Sequence, residues 1–194
     1  MRTRTKLTLG VLLAAFAAPA FADEDNEDNN SACAAVPTYA QLRAALKQAT
    51  GSPPSGNGGF NLNMWGTVVN RDGIVCAVAF TGVDRGSQWP GSRVISAQKA
   101  NTANAFSLDG LALSTANLYP FVQPGGSLFG LQESNPVDTE VAYKGPSTAY
   151  GTASDPMVRD KIGGVNVFGG GLALYRSGKV IGGASCRERV YGPV

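Results

Sequence analysis

Ser96 and Lys99 stand three positions apart, in the S-x-x-K spacing that serine acyl enzymes use. Side chains three apart on a helix share a face, and a lysine whose pKa is lowered by burial can deprotonate the serine. The companion motifs S-D-N and K-T-G are missing from the sequence, and a four-residue pattern often arises by chance. We therefore favour a non-catalytic interpretation, in which Lys99 reaches solvent or pairs with an acid and Ser96 bonds back to its own helix.

Histidine does not occur in the sequence. Ser-His-Asp triads, histidine-based zinc sites and histidine-ligated haem are therefore excluded. The three cysteines allow at most one internal disulfide and form no C-x-x-C motif, and no metal site is predicted from spacing. Cys76 lies in an apolar run and is predicted to be a buried apolar side chain. Cys33 and Cys186 are the predicted pair because they lie near the two ends of the mature chain.

The first 22 residues have the parts of a secretory signal peptide: a basic start, a short apolar run and an A-x-A sequence at residues 20–22. The run is too short to predict a transmembrane segment. We expect an exported protein, periplasmic or extracellular. Removal of residues 1–22 leaves 13 basic and 14 acidic residues with no basic tract, so a nucleic-acid partner is not expected. Residues 23–36 are predicted to be an acidic disordered leader, and residues 37–194 a single domain.

The stretch from Trp89 to Phe106 predicts an entry turn followed by a helix. Pro90-Gly91 breaks the preceding segment, and Ser92 is expected to cap the first helical turn. The apolar positions recur at helical spacing and are mainly alanine. Because small side chains let a helix approach a sheet closely, we expect this helix to pack tightly on a sheet.

The other segments predict an α+β fold with a mostly antiparallel sheet. Thr38 and Gln41 have the spacing of a capping box and predict a surface helix over residues 39–49. A hairpin is predicted with a turn at residues 70–73, and its apolar return strand, residues 74–80, is expected to be central and covered on both sides. The remaining predictions are a helical piece at 108–118, a short strand at 128–132, a long loop at 135–156, and strands at 162–168, 171–175 and 180–184.

Four motifs, in this order along the chain, make it resemble the GlcG/HbpS family of haem-binding, HbpS-like proteins. The resemblance extends from Val36 to Ala184, and its motifs are residues 63–73, 89–106, 130–136 and 162–175. It implies a profilin- or PAS-like core, with a central antiparallel sheet of about five strands flanked by helices. It also implies a small planar ligand such as haem, and assembly into homo-oligomers in some members.

A haem site needs an apolar slot and cations for the propionates, and it can also include an axial ligand. The resemblance places Arg93 and Lys99 in its most distinctive motif, and both are predicted to bind propionates. Trp89 is predicted to be a wall of the site, and Glu133 a site acid or the partner of Arg93. Other wall candidates are Trp65, Tyr119 and Phe129. The candidates for the axial ligand are Tyr143, Tyr150, Met64, Met157 and a free cysteine.

Three functions follow as hypotheses. The first is an exported haem-binding module, acting as a sensor or carrier. The second is an enzyme that degrades haem or assists small-acid oxidation. The third is an oligomeric structural or assembly protein. The charged tail after Ala184 departs from the family pattern and is interpreted as a truncated or frameshifted end, which would leave apolar sheet surface exposed and favour oligomers.

Overall fold

Four strands form one open antiparallel sheet in this computed structural model, which describes residues 31–51 and 61–187. The strands are β1 (Trp65–Asn70), β2 (Val75–Phe80), β3 (Gly171–Arg176) and β4 (Lys179–Arg187), and their order across the sheet is β2–β1–β4–β3. With its helices, this sheet gives the predicted α+β class, with four strands among the described residues where about five were expected. The predicted signal peptide, residues 1–22, lies outside the described residues.

Two long helices cover opposite faces of the sheet. α1 (Tyr39–Thr50) packs against β2 and β1, and α2 (Ser92–Phe106) packs across all four strands. Short helices follow at α3 (Thr115–Leu118) and α4 (Thr139–Ala142), with 3-10 turns at Tyr119–Val122 and Ser147–Ala149. Adjacent residues of a strand point to opposite faces. Accordingly, Val68 packs with Leu42 and Leu46 of α1, whereas the hydroxyl of Thr67 lies 2.7 Å from that of Ser96 in α2.

The predicted capping box begins α1. The Thr38 hydroxyl accepts a hydrogen bond from the Gln41 backbone N–H, and the Gln41 side chain accepts one from the Thr38 backbone N–H. For α2 the predicted boundary is confirmed but the predicted cap is wrong. Gly91 occupies the N-cap position, and Ser92 is the first residue inside the helix. Ser92 therefore lies one position after the N-cap, and its buried side chain does not cap the helix.

Backbone atoms of α2 lie directly on the sheet, as its alanine-rich face predicts. A Cβ added to Gly171 of β3 would come within 2.7 Å of the Lys99 carbonyl oxygen, and one added to Gly183 of β4 would overlap the Ala100 carbonyl oxygen. The two strands contact the helix at glycine residues. The helix packs on them with Ala97, Ala100 and Ala103, each at most 1% exposed. Dispersion contact across this seam is continuous because no longer side chain separates the two layers.

The first hairpin forms as predicted, but its return strand is not central. β2 lies at one edge of the sheet, next to β1 only. It is apolar on both faces because α1 covers one face and the core beneath α2 covers the other. Its outer edge is also used: the Val75 N–H donates to the Asp160 carbonyl, and the Arg159 N–H donates to the Val75 carbonyl. Burial on both faces therefore does not require a central position in this sheet.

Glycines with positive φ account for three predicted elements that differ from the structure. Gly163 and Gly164 have φ of 62° and 75°, so residues 162–168 are irregular backbone with one isolated bridge, from Gly163 to Val137, instead of a strand. Gly130 has φ of 90° within the segment predicted as a strand at 128–132. Gly110, with φ of 81°, turns the chain between Leu108 and Leu111, which delays the predicted helical piece to Thr115–Leu118. These conformations lie in the left-handed region, which is incompatible with strands and right-handed helices.

The cysteine prediction is wrong. Cys33 is bonded to Cys76, with a Cα–Cα distance of 5.5 Å, and Cys186 lies outside the disulfide. The pairing of β1 with β2 shifts register between Val68 and Val69, so that Cys76 is the extra residue of a β-bulge. This bulge interrupts the alternation of β2 and turns Cys76 towards the α1 face, where Cys33 lies. Val36 is also buried, so the disorder predicted for residues 23–36 does not extend to its last six residues.

Candidate functional site

Arg93 is buried and fully engaged inside the protein. Its guanidinium donates to the two carboxylate oxygens of Asp155 at 2.8 and 2.5 Å and to the Ala142 carbonyl at 2.6 Å. The Tyr150 ring lies 3.7 Å from the guanidinium carbon. Asp155 in turn accepts hydrogen bonds from the backbone of Gly151 and Met157. This bidentate pair holds the segment after α4 against α2.

Lys99 is also buried, at 1% exposure. Its ammonium group donates to the carbonyl oxygens of Gly169, at 2.7 Å, and of Cys186. Ser96 donates to the Arg93 carbonyl at 2.8 Å and contacts the Thr67 hydroxyl. Ser96 thus bonds back to its own helix, as the non-catalytic interpretation predicts, whereas the alternative in which Lys99 reaches solvent is wrong because its ammonium group is buried against backbone carbonyls.

The other two predicted site residues lie at the surface. Trp89 is 43% exposed and lines a pocket of about 300 Å³ together with Asn63 and Gln88, and Glu133 is exposed. The carboxylate partner of Arg93 is Asp155, so the alternative of Glu133 as its partner is wrong. The pockets that the described residues form at Trp89, at Arg71 and between α1 and β3 contain at most one of the four predicted side chains. Their role as cofactor-binding residues stays a prediction.

The candidates for an axial ligand do not converge on one place either. Met64 and Met157 are buried in different apolar clusters, on the α1 and α2 faces respectively. Tyr150 is held between the Arg93 guanidinium and the Tyr143 carbonyl, to which its hydroxyl donates at 3.0 Å. Tyr143 is 66% exposed. None of these four side chains lines the pockets named above.

A groove on the α1 face of the sheet is the most extensive of these pockets. The helix α1 packs on β2 and β1, and the groove lies beside it, over the same face of β4 and β3. The volume of the groove is about 760 Å³. The floor is apolar and consists of strand residues: Val68, Leu174, Ile181 and Ala184. One wall is a stripe of α1 with helical spacing: Gln41, Leu42 and Ala45.

The segment 34–38 forms the second wall of the groove. The Cys33–Cys76 disulfide fixes its beginning, and α1 follows its end. Between these points, Val36 is 6% exposed and the Arg176 guanidinium donates to the Ala35 carbonyl at 2.7 Å. Just before the disulfide, the Asn70 side chain donates to the Ala32 carbonyl at 3.2 Å.

Arg176 is the only charged side chain that the described residues contribute to the groove lining. It is exposed at the end of β3, so its remaining N–H groups reach solvent at the mouth of the groove. The Tyr175 hydroxyl is directed away, since it donates to the carbonyl oxygens of Leu108 and Leu111. The chemistry of the groove is therefore an apolar slot with one cation at its end, which suits a flat apolar ligand with an anionic edge.

Two pKa shifts belong to the ion pair at the turn next to this cation. Lys179 forms a hydrogen-bonded ion pair with Asp109 at 2.7 Å, and the Val180 backbone N–H also donates to Asp109. The Lys179 hydrogen bond, followed by that of Val180, lowers the pKa of Asp109, and the same carboxylate raises the pKa of Lys179. Both groups favour their charged forms here, so this turn keeps its ion pair over the neutral pH range.

Sequence reasoning did not locate the groove. Its floor and walls come from residues 34–45 and 174–184, more than a hundred positions apart, with Val68 between them. The local signal was the predicted surface helix itself, whose residues Leu42 and Ala45 line the groove. Within 31–51 and 61–187, no group of three or more Cys, Asp or Glu side chains is arranged to hold a metal ion. The helices of the same residues are too short or too polar to cross a membrane.

Comparison with known proteins gives a fold likeness only. No family model and no curated protein matches the chain. The solved structure of ORFY from Klebsiella pneumoniae, described with the family model DUF336, is 23% identical, with 78% of this chain and 76% of that chain covered and a TM-score of 0.46. The structure of a PduOC:heme complex is 21% identical, with 85% and 83% covered and a TM-score of 0.46. At these values the chain is not assigned to a family, and no site residue is taken from either structure.

Proposed function

We propose that this protein binds haem or a closely related tetrapyrrole in the groove between α1 and β3. The observation that carries the proposal is the groove itself: an apolar slot of about 760 Å³ with Arg176 at its mouth. Small-molecule and cofactor sites have volumes of roughly 300–1,000 Å³, are mainly apolar and contain few polar groups. The sequence motifs that resemble haem-binding proteins led to the same ligand class independently of the groove.

The lining fits the two chemical parts of haem. Aliphatic side chains on the floor and on α1 would contact the porphyrin faces, and each buried apolar Å² contributes about 25 cal/mol. The Arg176 guanidinium would bind a propionate, because its planar fork matches a carboxylate. Haem would supply a redox-active iron and an intense absorbance band. The described lining contains no cysteine or methionine, and the hydroxyl of its one tyrosine, Tyr175, donates to Leu108 and Leu111, so this lining supplies no axial ligand to the iron.

The direct test is a haem titration of the mature protein, followed by absorbance, with two matched tryptophan variants. Ala45 lines the groove, whereas Ala44 is exposed on the same helix outside the lining. Ala45→Trp should occupy the slot and weaken haem binding by about tenfold or more, since roughly 1.4 kcal/mol of lost contact is tenfold in affinity. Ala44→Trp should bind haem as the wild type does.

Saturation at one haem per chain, with this difference between the variants, supports the proposal. Equal affinity of both variants and the wild type would place any haem elsewhere, and a spectrum equal to that of free haem throughout would refute binding. The proposal includes export to an oxidising compartment, which the Cys33–Cys76 disulfide supports because such bonds persist there. A sensor or carrier role suits a module that holds its ligand in a surface groove.

A further inference from the structure

We propose that ligand binding in the groove is coupled to the redox state of the Cys33–Cys76 disulfide, and that a dithiol reductant lowers the affinity of the groove. This inference rests on the proposed tetrapyrrole-binding function and adds a regulation to the same site. The basis of the inference is the set of bonds that hold the wall formed by residues 34–38.

The disulfide is the only covalent cross-link of this wall to the sheet among the described residues. Cys33 immediately precedes the wall, and Cys76 lies on the bulge of β2, 43 positions later in the sequence. Between the disulfide and the capping box that joins Thr38 to α1, exposed Arg176 donates a hydrogen bond to the Ala35 carbonyl, and Asn70 donates to the Ala32 carbonyl just before the wall. Val36 adds one buried apolar side chain.

Loss of the disulfide therefore acts first on the wall. The floor of the groove is held by the β1–β4 and β4–β3 ladders, and the other wall is the helix α1. These parts keep their hydrogen bonds when the sulfur–sulfur bond opens. Segments held by few buried contacts and exposed hydrogen bonds open locally at low free energy. The reduced protein should consequently retain its sheet and lose the ordered wall.

Cys33 and Cys76 are both only partly buried, which lets a small dithiol approach the bond. A thiolate of the dithiol attacks one sulfur and forms a mixed disulfide, and the second thiolate of the reductant then displaces the protein sulfur. The products are two protein thiols and the disulfide of the reductant. Two electrons and two protons pass from the dithiol to the protein, so the step is balanced and reversible.

The test uses protoporphyrin IX, whose lack of iron prevents the thiols from ligating a metal, and follows its fluorescence on titration with protein. Wild-type disulfide-bonded protein is compared with the Cys33→Ser/Cys76→Ser double variant, and Cys186→Ser serves as the matched control that keeps the disulfide. We expect at least tenfold weaker binding by the double variant and unchanged binding by the control. Amide hydrogen exchange should increase in residues 34–38 while β1 stays protected.

A second variant keeps the test valid if the double variant does not fold. Val36→Ala retains the disulfide and removes the apolar contact of the wall, so it should weaken porphyrin binding by a smaller factor. Equal affinities of wild type and the double variant would overturn the redox coupling and leave the proposed function standing. Failure of the disulfide-bonded wild type to bind the porphyrin would overturn both, and unchanged affinity of Val36→Ala would contradict the role of the wall.

Discussion

Gly183 of β4 lies directly against the carbonyl oxygen of Ala100 in α2, where a Cβ atom would overlap that oxygen. Neither partner can move away easily, because β4 is paired on both sides and α2 packs across the whole sheet. The closeness of helix and sheet is thus set by backbone atoms, and a single methyl group at this position would disturb it.

Gly183→Ala should therefore lower the free energy of unfolding by about 1–3 kcal/mol, the range expected for overpacking of a rigid core. Gly91→Ala is the matched control, since a Cβ there has no atom within 4 Å and the backbone φ is −61°. It should change stability by less than about 1 kcal/mol. Urea unfolding measures both, and equal effects of the two substitutions would contradict the close contact.

Arg93→Met should destabilise the protein by about 3–5 kcal/mol, because it leaves the carboxylate of Asp155 buried without its cation. The double variant Arg93→Met/Asp155→Leu removes both charges and should recover a large part of that loss. Chemical denaturation of the set, analysed as a double-mutant cycle, gives the coupling energy. Additive effects of the two single substitutions would mean that the ion pair does not act as a unit.

Loss of the Cys33–Cys76 bond should lower stability by about 4 kcal/mol, the chain-entropy cost of a loop of this length. The comparison is between Cys33→Ser/Cys76→Ser and the wild type in thermal or urea unfolding, with Cys186→Ser as the control. We expect the control to stay close to the wild type. If Cys186→Ser instead lost the disulfide, the cysteine pairing described above would be wrong.

Arg176→Ala should weaken haem binding by about threefold to fivefold, since exposed ion pairs contribute roughly 1 kcal/mol or less. The weakening should shrink at high salt because the propionate contact is screened. Arg85→Ala is the matched control: Arg85 is also exposed and lies outside the groove lining. An identical response of the two variants would exclude Arg176 as the propionate ligand.

The Asp109–Lys179 pair predicts a local pH dependence. The pKa of Asp109 is lowered first by the Lys179 hydrogen bond and then by the Val180 N–H. A carboxyl group with a lowered pKa stabilises the fold at pH values above the ordinary aspartate pKa. This contribution is lost as the pH falls through the lowered pKa. Carboxyl NMR titration should show Asp109 titrating below that value, and Lys179→Ala should move its midpoint upward. An unchanged midpoint would contradict the pairing.

Elements whose structure is determined by residues close together in the sequence were predictable. The Thr38–Gln41 capping box, the hairpin turn at residues 70–73 and the helix Ser92–Phe106 each depend on neighbouring residues alone. The strand predicted at 162–168 failed because Gly163 and Gly164 take positive φ, which composition does not reveal. The position of β2 at the sheet edge failed for another reason: burial on both faces came from two helical layers and not from flanking strands.

The site was less predictable because its contacts are long-range. Arg93 and Lys99 stood out as cations in a distinctive motif, but their partners lie 62 and 70 positions away, at Asp155 and Gly169. Cys76 was assigned to the core because the bulge that turns it towards Cys33 depends on the pairing with β1. A groove assembled from both ends of the described chain leaves no pattern within any one segment.

The central claim, a tetrapyrrole in the groove between α1 and β3, is tested most directly by locating haem on the protein. Ferric haem is paramagnetic and broadens amide NMR signals near its iron. With haem bound, we predict selective broadening at Ala34, Ile181 and Ala184, with the signals of Trp89 and Glu133 unchanged. Broadening centred on Trp89 or Glu133, or no selective broadening at one equivalent of haem, would contradict the account.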